Sequence, residues 1–203
     1  MGKETVVSFS LFDTAIGRCA IAWGERGVVA LRLPEANDQA TRAHVLKRHR
    51  QAREAPPPSD IAHIIDAIVA LTGGEARDLS AITLDLEEVP EFHRRVYTVA
   101  RTIAPGATLT YGDIAARLGD PDAARAVGRA LGQNPFAIIV PCHRVIAAGG
   151  HSGGFSAHGG VATKRRLLAI EGARTEAEPT LFDRHGGLEF ELKDGGTEAR
   201  HCR

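Results

Sequence analysis

The chain has 203 residues, which is enough to bury a core as one ample domain or as two small ones. Its hydrophobic content of 43% is that of an ordinary globular protein, and no apolar run approaches the roughly 18 residues that cross a bilayer. The 25 basic and 25 acidic residues cancel, so binding to nucleic acid requires a local basic face rather than the field of the whole chain.

The first 88 residues predict a small α+β domain. Turn signals interrupt apolar runs over residues 6–33, which is typical of a β-meander. Residues 37–53 are polar and predict an exposed helix, which a run of prolines ends. Apolar residues at helical spacing over residues 61–71 predict a second helix, and residues 82–86 alternate as a last strand.

The next segment predicts a helical domain over residues 89–172. An amphipathic helix over residues 92–103 is followed by Thr110 and Asp113, which have the spacing of a capping box. Asp120 and Pro121 then predict the start of a helix over residues 122–131. Two short helices joined by such a turn are typical of a helix-turn-helix.

The rest of the chain contains one buried run, one loop and one helix. Residues 136–140 are apolar and predict a strand, and residues 149–160 form a glycine-dense loop. A final helix is predicted over residues 162–170. Residues 173–203 are polar with little periodicity, and we expect a flexible tail.

Cysteine usage narrows the chemistry. Cys19, Cys142 and Cys202 are an odd number at irregular spacings, which argues against a disulfide framework. The N-terminus lacks the apolar segment of a secretory signal, so we expect a protein of the reducing cytoplasm. Without a CxxC pair, an HxxxH helix or a glycine-rich nucleotide motif, the sequence predicts neither a metal nor a cofactor.

Cys142 has the surroundings of a nucleophile. It follows an apolar run and Pro141, and His143 and Arg144 come directly after it. Nearby cations favour the thiolate, which is the reactive form. A histidine can take the thiol proton directly or through a water, and a carboxylate can hold that histidine in the required tautomer.

Three motifs carry a resemblance to a known family. Asn134-Pro135, followed by the run Ile138-Ile139-Val140-Pro141-Cys142-His143-Arg144-Val145, resembles the active-site signature of the O6-alkylguanine-DNA alkyltransferases, also called methylated-DNA–protein-cysteine methyltransferases. Residues 111–115 and 124–128 match the helix-turn-helix of that family, and residues 167–172 match its last helix. The resemblance is strong over residues 92–172 and weak in the N-terminal part.

The resemblance implies a fold and a reaction. The fold is α+β, with an RNase H-like N-terminal domain and a mainly helical domain that carries the cysteine. Cys142 is the alkyl acceptor, His143 is its base through a water, and Glu171 orients His143. Asn134 is a hinge that ties the recognition helix to the active-site segment. Transfer from O6-alkylguanine, and less from O4-alkylthymine, is then stoichiometric and irreversible.

The resemblance also implies contacts to double-stranded DNA by a monomer. A base in the stack cannot present its alkyl carbon to a thiolate, so it must leave the helix. Arg125 takes the place of the flipped nucleotide, and Tyr111 rotates the base and contacts its N3 edge. Ser156 binds the O6 side, and the carbonyl of Val145 accepts from the exocyclic amine. The other implied DNA or base contacts are Arg144, Phe155, Ala126, Gly128 and Arg129.

Three features depart from the family pattern. Ala157-His158 separates Ser156 from the following glycines, so Ser152 is a rival for the O6 contact. Arg129 stands where a small residue often lies, and the zinc ligands of some relatives are not matched here.

Lys164-Arg165-Arg166 is interpreted as a solvated helical turn that can touch phosphates. Cys19 is expected in the core, and Cys202 is expected to be an incidental thiol.

Three other functions compete with alkyl transfer. A lesion-sensing relative of the same fold replaces the acceptor cysteine, which is present here. A Cys-His-Glu hydrolase would pass through a thioester and turn over many times. A transcription regulator would read bases in the major groove, for which a recognition helix rich in Ala and Gly is poorly suited.

Overall fold

The computed structural model describes residues 6–173 and shows a mixed α/β protein. Its main sheet is built from β1 (Ser8–Thr14), β2 (Gly17–Gly24) and β3 (Gly27–Arg32), which form the antiparallel meander that the sequence predicts. The strand order is β3-β2-β1-β4, because the short β4 (Arg53–Glu54) pairs in parallel with β1.

Two helices cover opposite faces of this sheet. Helix α1 (Asp38–Arg48) is capped by the side chain of Asn37 and contacts β2, where Val45 joins an apolar cluster with Phe9 and Leu11. Helix α2 (Ser59–Thr72) packs against β1 and contributes Ile61, Ile68 and Leu71 to the larger cluster, which continues into the second half of the chain.

The helix predicted over residues 37–53 was too long. Helix α1 ends at Arg48, and the chain then turns back toward β1. Arg53 N donates to Val7 O, and Ala55 N donates to Phe9 O. The backbone groups that would have continued the helix are therefore used in the sheet.

The strands predicted over residues 82–86 and 136–140 were also wrong. Each segment makes a single bridge to β3, Leu84 with Val28 and Phe136 with Leu31. After Phe136 the chain turns instead of extending, with Ile139 N donating to Ala137 O. Both segments lie along the same strand without a continuous ladder, and the apolar residues are half-buried in 82–86 and mostly buried in 136–140.

The second half consists of short helices around the larger cluster. Helix α3 (Glu91–Arg101) begins after Pro90, and β5 (Leu109–Thr110) leads into α4 (Tyr111–Arg117), whose capping box forms as predicted. Pro121–Ala123 form a 3-10 turn, so α5 (Ala124–Gly132) begins later than the predicted residue 122. The last two elements are β6 (Val145–Ile146), parallel to β5, and α6 (Gly160–Ile170).

The described residues contain neither a membrane-spanning helix nor a metal-binding cluster. Within residues 6–173, no helix combines the length and apolar character needed to cross a membrane. In the same range, no group of three or more His, Cys, Asp or Glu side chains is placed to hold a metal ion. The predicted tail over residues 173–203, including Cys202, lies outside the described residues except for Ala173.

Candidate active site

Asn134 shapes the segment that leads to Cys142. Its Nδ2 donates to Val140 O over 2.9 Å, and its Oδ1 accepts from Phe136 N over 2.9 Å. Between them Ile138 has a φ of 68°, a left-handed conformation that is strained for a β-branched residue. The two hydrogen bonds hold this turn in place. Because Asn134 comes one residue after the C-cap of α5, the same side chain joins that helix to the active-site segment.

A buried ionic network lies beside the cysteine. Cys142–Arg144 form a 3-10 turn, which directs His143 and Arg144 inward, where they are 1% and 5% exposed. His143 Nε2 lies 2.9 Å from Glu171 Oε1. Arg144 donates through Nε and Nη2 to the two oxygens of Glu171, each over 2.8 Å, and through Nη1 to Ile103 O. A bidentate guanidinium pair of this kind orients the carboxylate rigidly.

The expected contact of Arg144 with DNA or a base does not fit this placement. Its guanidinium is buried and its donors serve Glu171 and Ile103. The side chain therefore positions Glu171 from inside the protein. The predicted pairing of Glu171 with His143, in contrast, is present.

The protonation states follow from burial and hydrogen bonds. Burial by itself raises the pKa of Glu171, but the hydrogen bonds from His143 and Arg144 outweigh it and hold that pKa well below its usual range. Burial lowers the pKa of His143, against the opposing effect of Glu171. An ionised Glu171 accepts a hydrogen bond from Nε2–H of a neutral His143, which leaves Nδ1 as the basic nitrogen.

Cys142 is held as a thiol at neutral pH. Burial raises its pKa, and the Asn134 side chain, the Lys164 charge and nearby backbone N–H groups partly oppose this rise. The site consequently needs a base to form the thiolate. His143, adjacent in the chain and neutral, is the residue suited to that task.

Lys164 is a site residue that sequence analysis misplaced. The predicted solvated turn over residues 164–166 was wrong for this residue, since Lys164 is fully buried. Its Nζ donates to Val145 O over 2.5 Å and lies 5.9 Å from the ring centroid of Tyr111. Burial lowers its pKa to about 8, against the opposing effect of a Cys142 thiolate. The missed signal was helical spacing, because Lys164 lies on the same face of α6 as Leu167 and Leu168.

Tyr111 fits between α5 and the glycine-dense loop. A Cβ added at Gly153 would lie 3.1 Å from the Tyr111 hydroxyl, and one added at Gly128 would lie 3.8 Å from its ring. Burial, and secondarily a Cys142 thiolate, raise the pKa of the Tyr111 hydroxyl. Tyr111 therefore remains a protonated donor close to the cysteine.

The two rival serines occupy different environments. A cavity of about 380 Å³ is lined by Cys142 together with Asn134, Phe155 and Ser156. Ser156 is exposed and donates to Gly132 O over 3.1 Å. Ser152 is buried and accepts from Arg165 Nε over 3.2 Å. The cavity thus favours Ser156 for a contact with a base.

Helix α5 presents its cations to solvent. Arg125 and Arg129 are exposed, while Val127, Ala130 and Leu131 are buried against the core. The small residues Ala126 and Gly128 are half-buried.

Cys19 lies in the core as predicted, and burial raises its pKa to about 12. The structure therefore separates an inert thiol from the one in the site.

The chain was compared with known families, sequences and structures. Residues 91–173 match the family described as 6-O-methylguanine DNA methyltransferase, DNA binding domain. A methylated-DNA–protein-cysteine methyltransferase of Mycobacterium tuberculosis is 38% identical over 178 residues, which are 88% of this chain and 100% of the relative.

Solved structures agree with that match. The O6-methylguanine methyltransferase of M. tuberculosis superposes with a TM-score of 0.68 at 37% identity, covering 88% of this chain and 100% of the other. The OGT of M. tuberculosis in complex with DNA gives a TM-score of 0.67 at 35% identity, covering 84% and 96%. On this sequence and structural similarity, the chain belongs to the methylated-DNA–protein-cysteine methyltransferase family.

Proposed function

We propose that this protein repairs double-stranded DNA by moving the alkyl group of O6-alkylguanine, and less readily of O4-alkylthymine, onto Sγ of Cys142. The observation that carries the proposal is the buried network of His143, Arg144 and Glu171 beside a cysteine that opens onto a cavity. The family supports the same activity, because its named members act on methylated DNA through a protein cysteine.

The proposed chemistry begins with proton removal from Cys142. Glu171 holds Nε2–H of His143, so Nδ1 takes the thiol proton through a water. The thiolate attacks the alkyl carbon in line, the S–C bond forms, and the C–O bond breaks with its electron pair returning to guanine. The departing base takes up one proton, which balances the proton released by Cys142. Because the thioether has no route back, each molecule reacts once.

Recognition requires the damaged base to leave the stack. We propose that Tyr111 helps rotate it and contacts its N3 edge, while Arg125 fills the space that it leaves. Ala126 and Gly128 let α5 lie close to the minor groove, and Arg129 meets a phosphate. Support comes from the exposure of both arginines on α5 and from the position of Tyr111 between α5 and the loop.

Inside the site, Ser156 would bind the O6 side beneath Phe155. The carbonyl of Val145 would accept from the exocyclic amine. In the free protein this carbonyl already accepts from Lys164, and a carbonyl oxygen has a second lone pair for the base. Asn134 would act as the hinge between α5 and Cys142, which its two hydrogen bonds support.

We further propose an RNase H-like N-terminal domain over residues 1–88, a DNA-binding and alkyl-acceptor domain over residues 89–172, and a polar tail over residues 173–203. The meander with one parallel edge strand supports the first assignment. We also infer that the protein is a monomer. We infer a cytoplasmic location because the free thiols of Cys19 and Cys142 suit a reducing compartment.

The deciding experiment is intact mass measurement after incubation with a duplex that carries one O6-methylguanine. We expect one methyl group per protein, on the peptide that contains Cys142. Cys142→Ser should remain unmodified, and Cys19→Ser should react like the wild type because Cys19 is a core residue. Unmodified protein that still binds the duplex tightly would make it a lesion sensor, and continued turnover would indicate a hydrolase.

A further inference from the structure

The segment Phe155–His158 forms one wall of the cavity beside Cys142. Phe155, Ser156 and Ala157 all line it. The end of the segment is held by α6, because Thr163 Oγ1 donates to His158 O over 2.7 Å and Gly160 N donates to Ala157 O over 2.9 Å. The position of this wall determines how much room lies next to the sulfur.

His158 reaches from this segment to the N-terminal half of the chain. Its Nδ1 lies 3.7 Å from Oε2 of Glu35, a residue of the connection between β3 and α1. The other oxygen of Glu35 lies 2.6 Å from Nδ1 of His44 on α1. One carboxylate is therefore shared by a histidine of the N-terminal half and a histidine of the active-site loop.

Glu35 is itself held in place. Its backbone N–H donates to Oγ1 of Thr41, which is 1% exposed and donates in turn to Asn37 O. The Glu35 side chain is 22% exposed and that of His158 is 54% exposed. The contact thus joins the carboxylate of a residue held in place to an imidazole of the loop that would otherwise face solvent.

Another part of the cavity lining comes from the N-terminal half of the chain. Arg32, Glu35 and His44 line it together with Cys142. An alkyl group longer than methyl must extend from the sulfur into this space. Its accommodation depends on the distance between the loop wall and the Glu35 wall.

We propose that Glu35 is a positioning residue that, through His158, holds the Phe155–His158 loop against the N-terminal half and so limits the size of the alkyl group transferred to Cys142. This inference rests on the proposed function. It gives a role to the two residues, Ala157 and His158, that separate Ser156 from Gly159.

The test compares Glu35→Gln, His158→Ala and the double variant. Single-turnover rate constants are measured with duplexes that carry one O6-methylguanine or one O6-benzylguanine. We expect each single variant to raise the benzyl-to-methyl rate ratio about two- to fivefold, which is the size of effect expected when one partly exposed polar contact is lost. The double variant should match Glu35→Gln, because His158→Ala removes no further contact once the Glu35 carboxylate is gone.

Glu54→Gln is the matched control. It breaks an exposed ion pair with Arg42, which lies on α1 like His44, and it should leave the benzyl-to-methyl rate ratio unchanged. An unchanged ratio in Glu35→Gln and His158→Ala, additive effects in the double variant, or an equal change in Glu54→Gln would each overturn the proposal.

Amide hydrogen exchange separates this inference from the proposed function. Residues 155–158 should exchange faster in Glu35→Gln and His158→Ala than in the wild type or Glu54→Gln. If the wild type transfers neither group, alkyl transfer and the size limit fail, while exchange still decides whether Glu35 holds the loop. Equal exchange in all four proteins would overturn the contact itself.

Discussion

The network around Glu171 and the outer face of α5 lie in the same half of the molecule but differ in their partners. The Glu171 side chain is 3% exposed and is satisfied by His143 and Arg144. Arg125 and Arg129 on α5 are exposed to solvent. The groups proposed for the chemistry are therefore already paired within the protein, whereas the arginines proposed to contact DNA face solvent. Changes in the first region should reduce stability and rate, and changes in the second should reduce binding to DNA.

Glu171→Gln should have the largest effect. It leaves the buried guanidinium of Arg144 without its anion, and removing one partner of a buried pair costs about 3–5 kcal/mol. Transfer should slow by about 10²- to 10⁴-fold, because His143 loses the group that orients it. Urea unfolding and single-turnover rates measure the two effects. Glu54→Gln, at an exposed pair, should cost less than about 1 kcal/mol; equal losses would erase the contrast between the regions.

Lys164→Met should change how stability depends on pH. The pKa of Lys164 is lowered from 10.5 to about 8 by burial, so between these values the unfolded chain binds a proton that the folded protein has released. Lys164 therefore makes stability rise with pH across that window, and its charged form opposes folding at lower pH. We expect the stability advantage of Lys164→Met to shrink as pH increases from 8 to 10.5.

The exposed Lys47 of α1 provides the control for that measurement. Lys47→Met is measured over the same pH window, and a pH dependence equal to that of Lys164→Met would contradict the role of burial at Lys164. Transfer by Lys164→Met should also slow by about tenfold, because the positive charge that lowers the Cys142 pKa is lost. If the difference in unfolding free energy between wild type and Lys164→Met did not depend on pH, the ammonium of Lys164 would be solvated in the folded wild-type protein.

Asn134→Ala tests whether the turn before Cys142 needs its side-chain hydrogen bonds. Two bonds are lost, and Phe136 N loses its Asn134 acceptor while Val140 O keeps only the bond from Cys142 N, so we expect a loss of about 1–3 kcal/mol together with slower transfer. Asn37→Ala is the control, since it removes the N-cap of α1 at about 1 kcal/mol without touching the site. Equal transfer rates in the two variants would remove the hinge role from Asn134.

Arg129→Ala should have the smallest effect on the folded protein. An exposed side chain of this kind changes stability by less than about 0.5 kcal/mol. If Arg129 meets a phosphate, the slope of log affinity against log salt falls by about one unit in Arg129→Ala.

Arg125→Ala should slow transfer from duplex DNA while leaving the reaction with free O6-benzylguanine unchanged. Loss of stability comparable to Asn134→Ala would contradict the assignment of α5 as a solvent-facing recognition surface.

Local signals predicted the elements whose hydrogen bonds close within a few residues. The Thr110–Asp113 capping box forms as expected, and α2, α3 and α6 lie close to their predicted positions. Errors arose where an apolar run depends on a neighbour for its backbone pairing. Residues 82–86 and 136–140 carry strand-like patterns, but each makes only one bridge with β3.

The sequence by itself indicated the family, because Cys142, His143 and Glu171 stand in motifs whose order and spacing resemble it, and a relative that is 38% identical over 88% of the chain confirms that membership. Only the tertiary structure decided which charged groups are inside. Lys164 and Arg144 look like ordinary surface cations in the chain, yet packing of α6 and the Cys142–Arg144 turn buries both. The contact of Glu35 with His158 likewise joins residues 123 positions apart. Burial and long-range contact depend on how distant segments pack, which no local pattern contains.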